Sequence, residues 1–342
     1  MLWLGRIIRV LMYVAALLLA AWSAAALYFD LPVASLRAPA AIVYLIVVLG
    51  ALLVLRRRHL GLIVAFAGFG LVVLWWFSLE PSGKRDWRPD NAVQAYADIN
   101  GDEVTIHGVR NCDYVTEQDY TCRWETRSFN LSHLRGADLF ITWWGSPWIA
   151  HPIVSFDFGE QGHLPMSIET RSVIGQSYSA VRGFFRQYEL VYLASDERDI
   201  VRLRTNFRKD EEVYLFRIAV PPELAGKILL GYLARFNQLH QRPEWYNALT
   251  NNCTTNIDVS ASQAQGRRTS FDWRVLLNGK MDEMLYQHDR LVTGGLSLPA
   301  LKEQAHINAV GKADDDRPDW SELIRAGRVG FAGPSAVTTP QH

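Results

Sequence analysis

Cys253 stands in the stretch "YNALTNNCTTNI" and is the one cysteine in the last two hundred residues of a 342-residue chain. A thiol becomes a good nucleophile when a helix N-terminus and a neighbouring imidazolium lower its pKa. "NNCTTN" offers the first condition. Asn252 is a favoured N-cap residue, which puts Cys253 in the first helical turn, where unpaired backbone N–H groups point at it. The same N–H groups could stabilise an oxyanion. The competing account is a capped helix around a small buried side chain, since cysteine is among the most commonly buried residue types.

The imidazole must come from one of nine histidines. His59 sits beside an apolar stretch, His107 and His133 in polar segments, and His240 and His288 in helical runs. His151 differs, because it heads a strand. In "AHPIVSFDFGEQGHLPMSIETR" the first strand alternates His151, Ile153, Ser155 and Asp157 with Val154, Phe156 and Phe158. The second alternates Leu164, Met166 and Ile168 with Ser167, Glu169 and Arg171. Matching the apolar faces of this hairpin requires an even register sum. One such register, with a loop around 159–163, pairs His151 with Arg171, Ile153 with Glu169 and Ser155 with Ser167. Glu169 is then diagonal to His151, within reach of a long side chain. A carboxylate there could hold the imidazole tautomer and steady its cation, the orienting role in a triad. The alternative is a surface Glu169–Arg171 pair. Asp157 and Ser167 are weaker third members. Tyr246, Asn252, Arg171, Ser155 and Ser167 are the further candidates for positioning substrate or an oxyanion. "RQYELVYLASDERD" either lines the cleft or holds a structural ion-pair network through Arg186, Glu197 and Arg198. No metal-binding cluster or phosphate-binding glycine loop stands out, so neither a metal nor a cofactor is expected.

The elements that position these residues begin with three apolar stretches, roughly 7–28, 40–55 and 60–77. The first and third have the length that crosses a bilayer as helix, and the second needs a residue or two from its flanks. A cleaved signal peptide fits the first stretch poorly, because two more apolar runs follow at once. Arg6 and Arg9, and "RRRH" at 56–59, set the N-terminus and the second turn on the cytoplasmic side. Everything after Phe77 is then exported, and Trp75, Trp76 and Phe77 suit an interfacial belt. The expected organisation is a three-helix membrane anchor over 1–78, a linker over 79–102, an exported domain over 103–332 and a tail over 333–342.

Formal net charge is zero for the whole chain. The first eighty residues hold six Arg against Asp30 and Glu80, which leaves 29 basic and 33 acidic residues beyond them. A domain of net charge −4 has no basic face for nucleic acid. Cys112 and Cys122, ten apart in a polar exported segment, are read as a structural disulfide, which leaves Cys253 without a partner. From 103 to 216 the chain runs in short strand-like pieces: "EVTIHGV", "RWETRSFNL", "DLFITWW", "WIAHPIVSFDF", "LPMSIETR", "YELVYLA" and "EVYLFRIAV". Helical patterns follow in "PPELAGKILLGYLARFNQLHQ", from near Cys253, and in "DWRVLLNGKMDEMLYQ", after a short extended "WYNAL". The fold class is α+β, an antiparallel sheet first and helices after.

A histidine on one strand, a polar residue on the next and a later "NC" at a helix start is the order of circularly permuted papain-like folds. "YNALTNNC" resembles the tyrosine-to-"NC" segment of the lecithin:retinol acyltransferase-like and permuted NlpC/P60 proteins. "WIAHPIVSFDFG", "SIETR", "GFFRQYELVYLASDERD", "LRT" and "NNCTTNI" together resemble the Lnb N-terminal periplasmic domain family, over roughly 109–257. That resemblance implies a membrane-bound lipoprotein N-acyltransferase of the inner membrane, with its catalytic domain on the periplasmic side. It implies Cys253 as nucleophile, His151 as base and Glu169 as the third member. Phospholipid would be the acyl donor and a diacylated lipoprotein the acceptor. A peptidoglycan peptidase or amidase could use the same Cys–His pair. A non-catalytic interaction module would instead leave a buried, inert thiol well separated from the imidazole.

Overall fold

The computed structural model describes residues 2–55, 59–266, 272–275, 278–313, 315 and 317–331. Arg56–Arg58 and the 333–342 tail lie outside them. The chain folds as two compact units.

The first unit comprises 1–84, 177–189 and 244–248. Its apolar stretches form helices α1 (Leu2–Asp30), α2 (Ala34–Val54) and α3 (Leu60–Phe77). All three are long and apolar enough to cross a membrane. The second helix begins six residues earlier than its hydropathy predicts, and Pro39 lies inside it. The missing Pro N–H removes only one intrahelical bond, and the earlier start supplies the length that Ala40–Leu55 lacks. Small residues let α2 and α3 approach closely. A Cβ on Gly61 would meet the Ala51 carbonyl oxygen at 2.5 Å, so a larger residue there would force the helices apart.

The second unit comprises 85–176, 190–243 and 249–342. Strands β1 (Tyr96–Asn100), β2 (Glu103–Tyr114) and β3 (Tyr120–Asn130) form one antiparallel sheet. β1 falls within the stretch expected as linker, because Tyr96–Asn100 pairs with Glu103–His107. Cys112 and Cys122 are directly opposed across β2 and β3 and are disulfide-bonded. The second sheet contains β4 (Gly136–Trp144), β5 (Ser146–Asp157), β6 (His163–Arg171), β7 (Glu189–Ala194) and β8 (Glu211–Arg217), in the order β7-β6-β5-β4-β8. One side of this sheet buries Phe140, Ile153, Val213 and Leu215 against Ile200, Ile307 and Trp320. These come from α4 (Glu197–Ile200) and from the C-terminal segment around α9 (Asn308–Ala313) and α10 (Trp320–Leu323). On the other side Phe156 meets Tyr232 of α5 (Pro222–Gln241), ring centroids 6.1 Å apart. The order is strands first and helices after, as the α+β pattern predicts.

Two expectations are corrected. Observed partners in the β5–β6 hairpin are Ile153–Ser167, Val154–Met166 and Ser155–Pro165, two residues out of the expected register. The parity holds, and the turn decides the rest. A 3-10 turn at Gly159–Gln161 and a positive φ of 86° at Gly162 close the hairpin one residue earlier than a loop centred on 161. The second correction concerns 272–287, expected as one helix. It consists of 3-10 turns at Trp273–Val275 and Asn278–Lys280, followed by α7 (Met281–Gln287). Gly279 packs directly on the backbone of 147–149, where a Cβ would lie 2.3 Å from the Trp148 carbonyl carbon. That contact replaces a helical path with a turn. Helix α6 (Cys253–Gln265) precedes it and α8 (Leu298–Ala305) follows α7.

Candidate active site

Helix α6 starts at Cys253, and its N-terminus is closed by a reciprocal cap. The Thr255 N–H donates to Asn252 Oδ1 at 3.0 Å, and the Asn252 N–H donates to Thr255 Oγ1 at 3.0 Å. This is the geometry of a capping box with Thr in the Glu position. It fixes Cys253 as the first helical residue, at the positive end of the helix dipole. The Asn252 side chain therefore holds the helix start through its Oδ1.

The Cys253 thiol and the His151 imidazole lie close enough that each shifts the other's titration. His151 lies on β5, beyond the last paired residues Ile153 and Ser167 of the β5–β6 ladder. Its Nε2 is 2.7 Å from Ser167 Oγ, and Ser167 Oγ donates to Glu169 Oε1 at 2.8 Å. His151 Nε2–H therefore donates to the serine, since the serine hydroxyl proton is already given to the carboxylate. The direct His151 Nε2 to Glu169 Oε1 distance is 3.5 Å. Glu169 is in turn held by Arg204 Nη2 at 3.4 Å, and Arg204 Nη1 donates to Glu211 Oε2 at 3.2 Å. The result is a continuous relay of imidazole, serine hydroxyl, carboxylate and guanidinium, with the thiol at the imidazole end.

The electrostatics follow from that chain. Burial pushes the Cys253 thiol up, but the hydrogen bond and charge of His151 outweigh it, and the thiol lies below its ordinary value. Burial and the Arg204 cation both push His151 down. Hydrogen bonds to Cys253 and Glu169, with the Glu169 charge, outweigh them and hold it above its ordinary value. Burial would raise Glu169, yet His151 and Arg204 hold it well below the usual carboxylate range. A lowered thiol beside a raised imidazole favours the thiolate–imidazolium pair, the reactive form of a nucleophilic cysteine.

Two further residues near Cys253 escape the sequence reading. Asn278 Nδ2 lies 3.7 Å from Cys253 Sγ, while its Oδ1 accepts from the Ala150 N–H at 2.9 Å. The Ala150 bond sets which end of the amide faces the sulfur. Tyr232 is 1% exposed, and its phenol oxygen has no hydrogen-bond partner among the described residues. Burial first, then the Tyr192 and Cys253 charges, push this phenol well up. The "NG" pair at 278–279 is a turn signal that could have located Asn278. Nothing in the local sequence of α5 singles out Tyr232.

Two other candidates, Arg171 and Ser155, are engaged elsewhere. Arg171 donates to the backbone carbonyls of Asn91 and Ala92 and stacks over Trp87 at 4.4 Å, so it holds the 87–92 segment. Ser155 donates to Glu197 Oε1 at 2.6 Å within a buried ion network that also contains Arg325 and Asp138. Tyr246 belongs to the first unit, where its N–H donates to the Tyr188 carbonyl at 3.0 Å. Among the described residues no cluster of three or more His, Cys, Asp or Glu could hold a metal ion.

The features so far define a membrane protein with a mixed helix-and-sheet domain that carries a thiol–imidazole pair. Residues 120–279 match the family model described as the Lnb N-terminal periplasmic domain. The match takes in His151, Ser167, Glu169, Arg204, Cys253 and Asn278. No curated protein and no solved structure matches the chain.

Proposed function

We propose that the protein is a thiol-dependent lipoprotein N-acyltransferase of the inner membrane, with a circularly permuted papain-like catalytic domain in the periplasm. The Cys253–His151 pair at the N-terminus of α6, in which each group shifts the other's pKa and behind which stand Ser167 and Glu169, carries the reading. An interaction module with an inert thiol needs no such pairing and no relay behind it. The match of 120–279 to the Lnb family model supports a role in lipoprotein modification, and the three apolar helices would keep the domain where both lipid substrates lie.

The reaction runs in two halves. The Cys253 thiolate attacks the carbonyl carbon of a phospholipid ester, and the new C–S bond forms as charge develops on the carbonyl oxygen. Donors for that oxyanion are the backbone N–H groups at the start of α6 and the Asn278 amide, whose Nδ2 already faces the sulfur. Collapse breaks the ester C–O bond, and the lysophospholipid alkoxide takes the proton from His151. The neutral α-amine of a diacylglyceryl cysteine then attacks the thioester. A C–N bond forms, the C–S bond breaks, and His151 receives the amine proton as the thiolate is regenerated. Ser167 and Glu169 stay outside the covalent changes and hold the imidazolium that appears in each half.

The test is to incubate the purified protein with a phospholipid and a diacylated lipopeptide and weigh both products. A lipopeptide heavier by one acyl group, with matching lysophospholipid, supports the reading. Cleaved cell-wall peptides with unchanged lipids would replace it with the peptidoglycan hydrolase.

A further inference from the structure

The first unit contains, beside the three apolar helices, the exported segment 177–189. Polar contacts tie that segment to the ends of α1 and α3. Asp30, the last residue of α1, accepts from Trp76 Nε1 at 2.8 Å, from the Arg186 N–H at 3.1 Å and from Gln187 Nε2 at 2.8 Å. Gln187 Nε2 also donates to the Phe29 carbonyl at 2.7 Å, and the Arg186 guanidinium lies 3.9 Å over the Trp76 ring.

The segment also goes deeper than the helix ends. Phe185, 5% exposed, stacks on Phe29 at 4.9 Å and on Trp22 at 6.4 Å. Trp22 stands eight residues before the end of α1, about 12 Å at 1.5 Å per residue. It packs on Phe69 at 5.8 Å, and Phe69 is eight residues before the end of α3. Phe185 thus reaches side chains rooted two turns inside helices of spanning length. Meanwhile Tyr178, Val181 and Phe184 are 52%, 58% and 38% exposed. Arg182, also exposed, lies among them. The loop is held in shape by its own bonds. The Ser179 N–H donates to Tyr188 Oη, which donates to the Ser177 carbonyl, and a Cβ on Gly183 would lie 3.4 Å from the Tyr246 ring.

We infer that Tyr178–Phe185 is a lipid-facing wedge, inserted at the headgroup and upper acyl level of the outer leaflet of a phospholipid bilayer. An apolar face continuous with membrane helices has lipid as its natural cover. Arg182 is placed for the phosphates, and Tyr178 is a residue type enriched at that level. The wedge adds a second lipid contact to the three spans and does not depend on which reaction the thiol performs.

The test places a fluorescent label on Val181→Cys in a Cys253→Ser background, reconstituted in phosphatidylcholine vesicles. A matched label on Leu71→Cys, a residue of α3 that is 70% exposed, marks a lipid-facing position. Phosphatidylcholine brominated near the headgroup end of the acyl chain should quench the Val181 label by at least half, and aqueous iodide should quench it several-fold less than free label. Full iodide quenching without lipid quenching would overturn the inference by placing the loop in water. Protection from both quenchers would overturn it equally, because protein and not lipid would then cover the face.

Discussion

Two groups of buried charge meet β5, one toward its C-terminal end and one at mid-strand around His151, and they draw on nearly the same residue types. In the first, Arg325 donates to both carboxylate oxygens of Glu197 and to Asp138, while Arg217 bridges Asp138 and Asp157 and Ser155 closes on Glu197. In the second, Arg204 holds Glu169, Ser167 links it to His151, and the chain ends on Cys253. Both carboxylates are depressed: burial raises Glu197, but Arg325 outweighs it and brings Glu197 to about 2, and Glu169 is also well below its ordinary value. A perturbed carboxylate therefore does not tell the two apart. The first group saturates its charges with one another and does structural work. The second transmits its charge to a histidine that polarises a thiol, and the thiol still has a reactive lone pair.

Breaking each group separates these roles. Cys253→Ala and His151→Ala should each lower acyl transfer by on the order of 10³-fold or more, as removal of a nucleophile or its base does. Both variants should unfold within a few degrees of the parent in a thermal scan. Arg325→Ala should do the reverse. It leaves Asp138 and Glu197 buried without their cation, a loss of about 3–5 kcal/mol, while the folded fraction keeps its turnover. If folded Arg325→Ala were inactive, the division between the two groups would collapse.

Smaller changes sharpen the comparison inside the relay. Ser167→Ala interrupts the link between His151 and Glu169 without touching the thiol. It should cost about 10- to 100-fold in turnover, at the lower end of what an acid–base contribution is worth, with Ser167→Thr restoring most of it. The pH dependence of Cys253 alkylation tests the same link without any substrate. A thiol held below its ordinary value is thiolate at pH values where a free cysteine is not. The alkylation rate should therefore climb at lower pH than for a model thiol. Glu169→Gln removes the charge that helps keep His151 protonated, which lowers the imidazole pKa and lets the thiol pKa rise, so the climb should move to higher pH. An unmoved profile would show Glu169 to be a bystander.

How much of this the sequence contained depends on the kind of contact. Alternation places His151 and Glu169 on neighbouring strands, because a strand's side-chain period is local. It cannot set the register, since parity allows steps of two and the turn at Gly159–Gly162 chooses among them. By sequence Ser167 consequently ranks below Glu169, although it sits between Glu169 and the imidazole. "NNC" announces its cap through chain neighbours, and the cap is there. Asn278 is hidden by a helical pattern over 272–287 that the packing of Gly279 on 147–149 overrides. Arg204 and Tyr232 reach the site only through tertiary packing, which no local spacing encodes. Arg171 and Ser155 have the right residue types, yet the structure employs them for a backbone clamp and an ion network.

The central claim is that acyl chains pass through the Cys253 sulfur. The most direct measurement is the intact mass of the protein after brief exposure to phospholipid alone, followed by proteolytic mapping and then addition of a diacylated lipopeptide. The account predicts one added acyl group on the Cys253 peptide, removed by neutral hydroxylamine and transferred to the lipopeptide amine. Lipopeptide acylated at full rate by a protein that never carries the acyl group, or by Cys253→Ala, would contradict it.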